Sequence, residues 1–259
     1  MTRRGLPPLG PLAALQFLTR VPIRLRSAPD TGAAVAWFAV IGALIGAAVG
    51  GVAFGLWHVL APLPTAAVAV AAGLLITGAF HEDGLGDTAD AFGGGTTVER
   101  RLEIMKDSHH GTYGVAAMCS SIVIRVAALA SVPSPGAALV TVLAGHTMGR
   151  AAAVGMAGFA PMSTHPGLGA DAGRATSRRR AVAGMAAGLA ITALATGWWV
   201  GPMALAAVVS AVAVGILAVR KVGGISGDIL GAAEQVAECA VMLTAGALAT
   251  HHALHPWLG

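Results

Sequence analysis

Apolar residues run along this chain in blocks too long for strands or surface helices, and short polar breaks separate them. A helix that crosses a bilayer needs about 20 mostly apolar residues. The blocks at 33–60, 65–80, 111–132, 137–160, 181–200, 203–219 and 234–252 predict seven passes. The block at 65–80, "TAAVAVAAGLLITGAF", is short, so its membrane part is expected to continue into the polar segment that follows it. Pro62 and Pro64, "PSPG" at 133–136 and "GP" at 201–202 supply the turns on one side. Residues 9–23 read as an interfacial amphipathic helix. The expected fold is all-α: a polytopic helix bundle forming a single membrane domain over 1–259. Its polar parts are a basic segment at 1–32, an acidic loop or helix at 81–110 and a second acidic motif at 220–238.

Composition supports this pattern. Hydrophobic residues make up 56% of the 259 and charged residues only 11%, against about 25% in a soluble domain. The 36 glycines include Gly42, Gly46 and Gly50 at four-residue spacing, and the pairs Gly145 with Gly149 and Gly184 with Gly188. Small residues at that spacing let membrane helices approach closely. Cys119 and Cys239 lie within apolar blocks and form neither a disulfide framework nor a metal-binding spacing. Arg3 and Arg4 precede a stretch that soon turns basic, "PLAALQFLTRVPIRLR", which does not read as a removed signal peptide.

Charge fixes the expected topology. Seven passes put the loops at 1–32, 81–110, 161–180 and 220–235 on one side. These loops hold 14 of the 16 basic residues, and the other two, Arg125 and Arg150, lie within spans. The opposite loops, 61–64, 133–136 and 200–202, carry no charge. Cytoplasmic loops are the ones enriched in Lys and Arg, so the charged loops are expected in the cytoplasm of a bacterial inner membrane. The net charge of +4 then reflects topology and implies no nucleic-acid partner. His251, His252 and His255 fall at the far side, as an interface tail.

The acidic residues share the charged side. Seven of the 12 lie between 82 and 107. Asp83, Asp87 and Asp90, in "FHEDGLGDTADAFGGG", would share one face of a helix. Like charges so placed repel, and a divalent cation such as Mg²⁺ removes the conflict. In "ERRLEIMKDSHHG", Glu99 and Glu103 are explained by pairing with interleaved Arg100, Arg101 and Lys106. Asp107, at the edge of the next span, is not. In "GGISGDILGAAEQVAE", glycines such as Gly224 and Gly227 would let backbone approach a phosphate; Asp228 sits among them, and Glu234 and Glu238 follow one turn apart. Ionisable groups at membrane depth are functional candidates, which includes Arg125 and Arg150. Those two have a second reading, as structural partners of carboxylates on other helices. His81–Glu82 lacks the second histidine of a zinc-protease helix, since position 85 is Leu, and the glycines at 93–95 are not followed by the Lys of a phosphate loop.

Three stretches, "FHEDGLGDTADAFGGG", "RRLEIMKDSHHGTYG" and "GGISGDILGAAEQVAE", resemble the integral-membrane cobalamin synthase family, the adenosylcobinamide-GDP ribazoletransferases. Weaker likeness runs through "LQFLTRVPI", "WFAVIGALIGAAVG", the region of Arg150 and "PGLG". The chain departs from the family at Glu82 and at His109–His110, which sets Glu82 aside as a catalytic residue. The resemblance implies the last step of nucleotide-loop assembly in vitamin B12. A hydroxyl of α-ribazole, or of its 5′-phosphate, attacks the cobinamide-side phosphorus of adenosylcobinamide-GDP, and GMP leaves. It further implies Mg²⁺ held by Asp83 and Asp87, with Asp228 and Asp107 completing the site. Glu238 or Asp90 would orient or deprotonate the hydroxyl, and Lys106, Arg125 and Arg150 would hold phosphate oxygens. Candidate protein partners are other membrane-associated corrinoid enzymes and further copies of this chain. Two alternatives remain. An ion-coupled transporter would place its charges near the midplane. A CDP-alcohol phosphotransferase would follow its Asp-Gly with an Ala-Arg pair, whereas Asp83-Gly84 is followed by Leu-Gly-Asp.

Overall fold

The computed structural model describes residues 9–25, 30–164 and 167–251. The expectations resting on Arg3, Arg4, His252 and His255 lie outside them. In chain order the helices are α1 (Gly10–Leu18), α2 (Thr31–Val35), α3 (Phe38–Leu56), α4 (Pro62–Thr77), α5 (Phe80–Gly94), α6 (Val98–Ile104), α7 (Thr112–Ala130), α8 (Pro135–Phe159), α9 (Leu168–Ala175), α10 (Arg178–Thr196), α11 (Val200–Val222) and α12 (Gly227–His251). No strand occurs among the described residues; a single bridge joins Met162 to Ile225.

Among the described residues five helical stretches are long and apolar enough to cross a membrane, or six if the bent pair α4–α5 is counted as one span. One of the five is the 45-residue stretch Arg178–Val222. At 1.5 Å per residue it is roughly twice the hydrocarbon thickness. It folds back at the 3-10 turn Gly197–Trp199, where Gly197 adopts φ +61°. Arg178 at the start of α10 lies 6.0 Å from the centre of the Phe159 ring. Arg220 near the end of α11 returns to the groove that Phe159 lines. The stretch therefore supplies two of the seven expected passes.

Helix α8 stands at the centre, with most of its residues buried. Its neighbours reach it through glycine. A Cβ on Gly46 would lie 2.8 Å from Leu143 Cα, and one on Gly50 would lie 2.9 Å from the Leu139 carbonyl oxygen, both on α8. On the α12 side, a Cβ on Gly149 would meet the Glu234 carbonyl oxygen at 3.0 Å. Lipid gives helices no hydrophobic reason to associate, so contact area and backbone proximity must hold them together.

The break between α4 and α5 sets up the site. Gly78 (φ +69°) ends α4 in the left-handed conformation, and Ala79 (φ +56°) continues it. The two helices meet at 90°. Left-handed backbone costs a non-glycine residue roughly 1–2 kcal/mol, so packing must hold Ala79 there. Arg20 assists from the segment after α1, donating its N–H to the Ile76 carbonyl at 2.8 Å. Beyond the bend α5 runs antiparallel to α7: Glu82 meets Arg125, and Asp90 meets Gly114.

The packing predicts an asymmetric outcome for two glycines on one helix. Gly46→Val drives a branched side chain into the α8 backbone and should destabilise the bundle by about 1–3 kcal/mol. Gly51→Val enters open space and should leave the thermal midpoint in detergent unchanged. Equal midpoints for both variants would contradict the α3–α8 contact.

Candidate active site at the charged end of the bundle

Helix α5 is built by a sequence that alternates glycine with carboxylate. Its glycines are the contact points. A Cβ on Gly84 would stand 2.8 Å from the Asp228 carbonyl oxygen, and one on Gly86 would meet His110 Nδ1 at 3.1 Å. Residues 83–87 therefore press against both the first turn of α12 and the loop before α7. His110 lies between two carboxylates: Nε2 is 3.4 Å from Asp83 Oδ1 and Nδ1 is 3.5 Å from Asp87 Oδ1. Asp83 is open to solvent, Asp87 is mostly covered, and Asp228 is half-buried, with Ser226 Oγ 3.4 Å from its Oδ2. Three carboxylates thus gather where α5, α12 and the 107–111 loop converge, with one imidazole among them.

Mg²⁺ keeps several waters and is usually held by one or two carboxylates together with substrate phosphates. Asp83 and Asp87 fit that requirement, being one turn apart on α5 and aimed at a common imidazole. Among the described residues no three His, Cys, Asp or Glu side chains close on one point as an all-protein cage would. The donor set suits a metal shared with a phosphate-bearing substrate.

Other predicted site residues are placed differently. Asp90 is buried, and its two oxygens accept the backbone N–H groups of Gly111 (2.6 Å) and Gly114 (2.8 Å). It neutralises the positive N-terminus of α7, a fastening role in place of the expected part in proton transfer. Asp107 is exposed and pairs with His109 Nδ1 at 2.9 Å. The hydrogen bonds from His109 hold its carboxyl below the usual range. Among the described residues no hydrogen bond or ion pair joins Asp107 to Asp83, Asp87 or Asp228. Gly224 and Gly227 do not face open space: a Cβ on Gly224 would meet Ser163 N at 3.0 Å, and one on Gly227 would meet Gly169 Cα at 3.1 Å. The smallness of Gly224 lets the 161–163 segment dock, through Ile225 N–H to Pro161 O and Ser163 N–H to Ile225 O, each 2.9 Å, and that of Gly227 admits α9 at Gly169. Lys106 is exposed on the loop that leads to His110.

Glu238, Arg125 and Arg150 belong to an interior cluster beneath the carboxylates. Arg150 Nη1 donates to Glu234 Oε1 (2.6 Å) and Glu238 Oε2 (3.1 Å). Arg125 lies 3.1 Å from Glu238 Oε1 and 2.8 Å from Glu82 Oε1. His146 Nδ1 is 2.8 Å from Glu238 Oε2, and His81 Nδ1 is 3.5 Å from Glu234 Oε2. Gln235 links Glu234 to Ser121 of α7. These groups are almost wholly buried. The two arginines thus follow their second reading, as structural partners of carboxylates on other helices. The four helices α5, α7, α8 and α12 each contribute. Sequence reasoning missed His110 as a site member, and His81, His146 and Glu82 as members of the cluster. The doublet His109–His110, beside a membrane span and among acids, was the available signal for His110.

Geometry and composition define the class as a polytopic membrane helix bundle with carboxylates gathered at its charged end. The cobalamin-5-phosphate synthase family model matches residues 10–246, and the chain belongs to that family. It is similar to the adenosylcobinamide-GDP ribazoletransferase of Bradyrhizobium diazoefficiens, with 40% identity over 242 residues covering 90% of this chain and 92% of that protein. The protein of the same name from Ralstonia pickettii is 36% identical, covering 88% and 91%. That from Sinorhizobium medicae is 40% identical, covering 91% and 94%. No solved structure matches the chain.

The cluster predicts that Arg150→Met is severely destabilising. It leaves Glu234 and Glu238 buried with one guanidinium fewer, a loss of about 3–5 kcal/mol. Arg100→Gln removes only an exposed pair with Glu103 and should not shift the thermal midpoint. A normal midpoint for Arg150→Met would contradict the cluster's structural role.

Proposed function

We propose that this chain performs the adenosylcobinamide-GDP ribazoletransferase reaction. A hydroxyl of α-ribazole, or of α-ribazole 5′-phosphate, attacks the cobinamide-side phosphorus of adenosylcobinamide-GDP. The phosphoanhydride bond breaks, GMP leaves, and adenosylcobalamin or its 5′-phosphate forms. The observation that carries the reading is family membership over residues 10–246 combined with Asp83, Asp87 and His110 converging beside Asp228. The ion-coupled transporter is disfavoured, because the interior charges are engaged with one another.

Phosphoryl-type transfer calls mainly for positioning and charge neutralisation. Asp83 and Asp87 would hold Mg²⁺, which when bound supplies charge neutralisation at the phosphates and a template for alignment. Asp83 is the exposed member of the pair. Asp87 is mostly covered. His110 is within reach of both carboxylates and is the nearest group able to relay a proton from the attacking hydroxyl. Lys106, exposed on the loop that leads to His110, would bind a phosphate oxygen. The basic loops support a site on the cytoplasmic face of a bacterial inner membrane, where both water-soluble substrates would reach it without entering lipid.

The test is conversion of adenosylcobinamide-GDP and α-ribazole by the purified, folded protein in the presence of Mg²⁺, followed by chromatography of GMP and corrinoid. Asp83→Asn and Asp87→Asn preserve shape and remove charge, and each should lower turnover on the order of 10²-fold or more. Glu99→Gln, on the exposed α6, should leave turnover unchanged. Absence of GMP release by the wild-type protein would defeat the assignment. Full activity with unaltered Mg²⁺ dependence in Asp83→Asn would place the metal elsewhere.

A further inference from the structure

The hairpin α10–α11 does not close against α8. Between the three helices runs a groove of about 890 Å³. Its floor is made of small or flexible residues of α8, among them Ala152, Gly155 and Met156, and its rims carry Leu189 of α10 with Val208 and Ile216 of α11. Leu189, Val208 and Ile216 are each about half exposed or more. From Ala204 to Arg220 the α11 rim is about 24 Å long at 1.5 Å per residue, more than the depth of one leaflet of a core about 30 Å thick. The walls are apolar along this length, and polarity appears only at one end.

That end is cationic. Arg220 lines the mouth, and Arg178 lies over the Phe159 ring that forms part of the same mouth. Among the described residues neither has a carboxylate within ion-pair distance, whereas the nearby Arg174 and Arg180 are committed to Asp171 and Asp30. An apolar slot one leaflet deep, ending in two unpaired guanidinium groups at the charged face, matches an acyl chain attached to a phosphate. Guanidinium is the side chain best suited to phosphate oxygens.

We propose that the α8–α10–α11 groove is a binding site for an anionic phospholipid, with one acyl chain along α8 and its phosphate between Arg178 and Arg220. The site is separate from the Asp83–Asp87 centre and does not depend on the reaction proposed there. The lipid closes the gap that the hairpin leaves and so completes the packing of α8 on that side.

Native mass spectrometry of the full chain in detergent, titrated with dioleoyl phosphatidylglycerol or dioleoyl phosphatidylcholine, tests this. One phosphatidylglycerol per chain should be retained, with a preference over phosphatidylcholine on the order of tenfold. The double variant Arg178→Gln/Arg220→Gln should remove the preference while keeping weak binding of both lipids. Gly215→Phe, which fills the groove, should remove retention altogether. Ile216→Trp on the exposed rim serves the same purpose if Gly215→Phe does not fold. Equal binding of the two lipids by the wild-type chain would overturn the proposal. So would a preference that survives the double variant, or a dimer in light scattering that either groove-filling variant dissociates, since a second copy would then be the occupant.

Discussion

The pairing of Arg150 with Glu234 and Glu238 is the constraint on which the rest of this structure depends. A carboxylate inside a bundle of apolar helices has no water to turn to, and its desolvation is affordable only with cations and hydrogen bonds in place. Each helix that contributes a charge to the cluster is therefore held at one depth and one rotation. Glu82 comes from α5, Arg125 from α7, Arg150 and His146 from α8, and Glu234 and Glu238 from α12. Apolar packing between membrane helices tolerates sliding, whereas a set of directional ion pairs does not. The cluster gives the bundle its register.

Register at the cluster becomes geometry at the site within about two turns of helix. Glu82 is fixed by Arg125, so Asp83 and Asp87 emerge on a different face of α5, toward His110. Glu234 is fixed by Arg150, so the start of α12 brings Asp228 against Gly84. Asp90 then ties the far end of α5 to the N-terminus of α7. The left-handed pair Gly78–Ala79 permits the 90° turn that lets α5 leave α4 and enter this arrangement. Polar residues buried beneath the candidate site thus position the carboxylates that line it.

The class of fold was legible from hydrophobic block length alone, and the glycine spacing at 42, 46 and 50 signalled a close helix approach, whose partner, α8, only the structure identifies. The short 65–80 block was expected to continue its pass into the acidic segment; the chain turns by 90° there, and the acidic segment forms a separate helix, α5. The site was legible only in part. Asp83 and Asp87 share a helix face as their spacing implies, but their partner His110 enters from a loop, and no local periodicity encodes where a loop folds. Asp90 has the same spacing as its neighbours, yet the backbone of α7 claims it. That contact joins residues distant in sequence. Arg125 and Arg150 stood out correctly as buried charges, but whether such a residue meets a substrate or a carboxylate depends on which helices are adjacent. Gly224 and Gly227 illustrate the same limit: a glycine signals close approach without revealing what approaches.

If the interior charges hold α5 in place, the helix should loosen when its own link is cut. Hydrogen–deuterium exchange of the purified protein, comparing wild type with Glu82→Gln, reads this directly. Gln keeps the shape and removes the charge that meets Arg125. The account predicts that amides of α5 (Phe80–Gly94) lose protection together in the folded variant while those of α3 and α8 keep theirs. Unchanged protection of α5 in folded Glu82→Gln protein would contradict it.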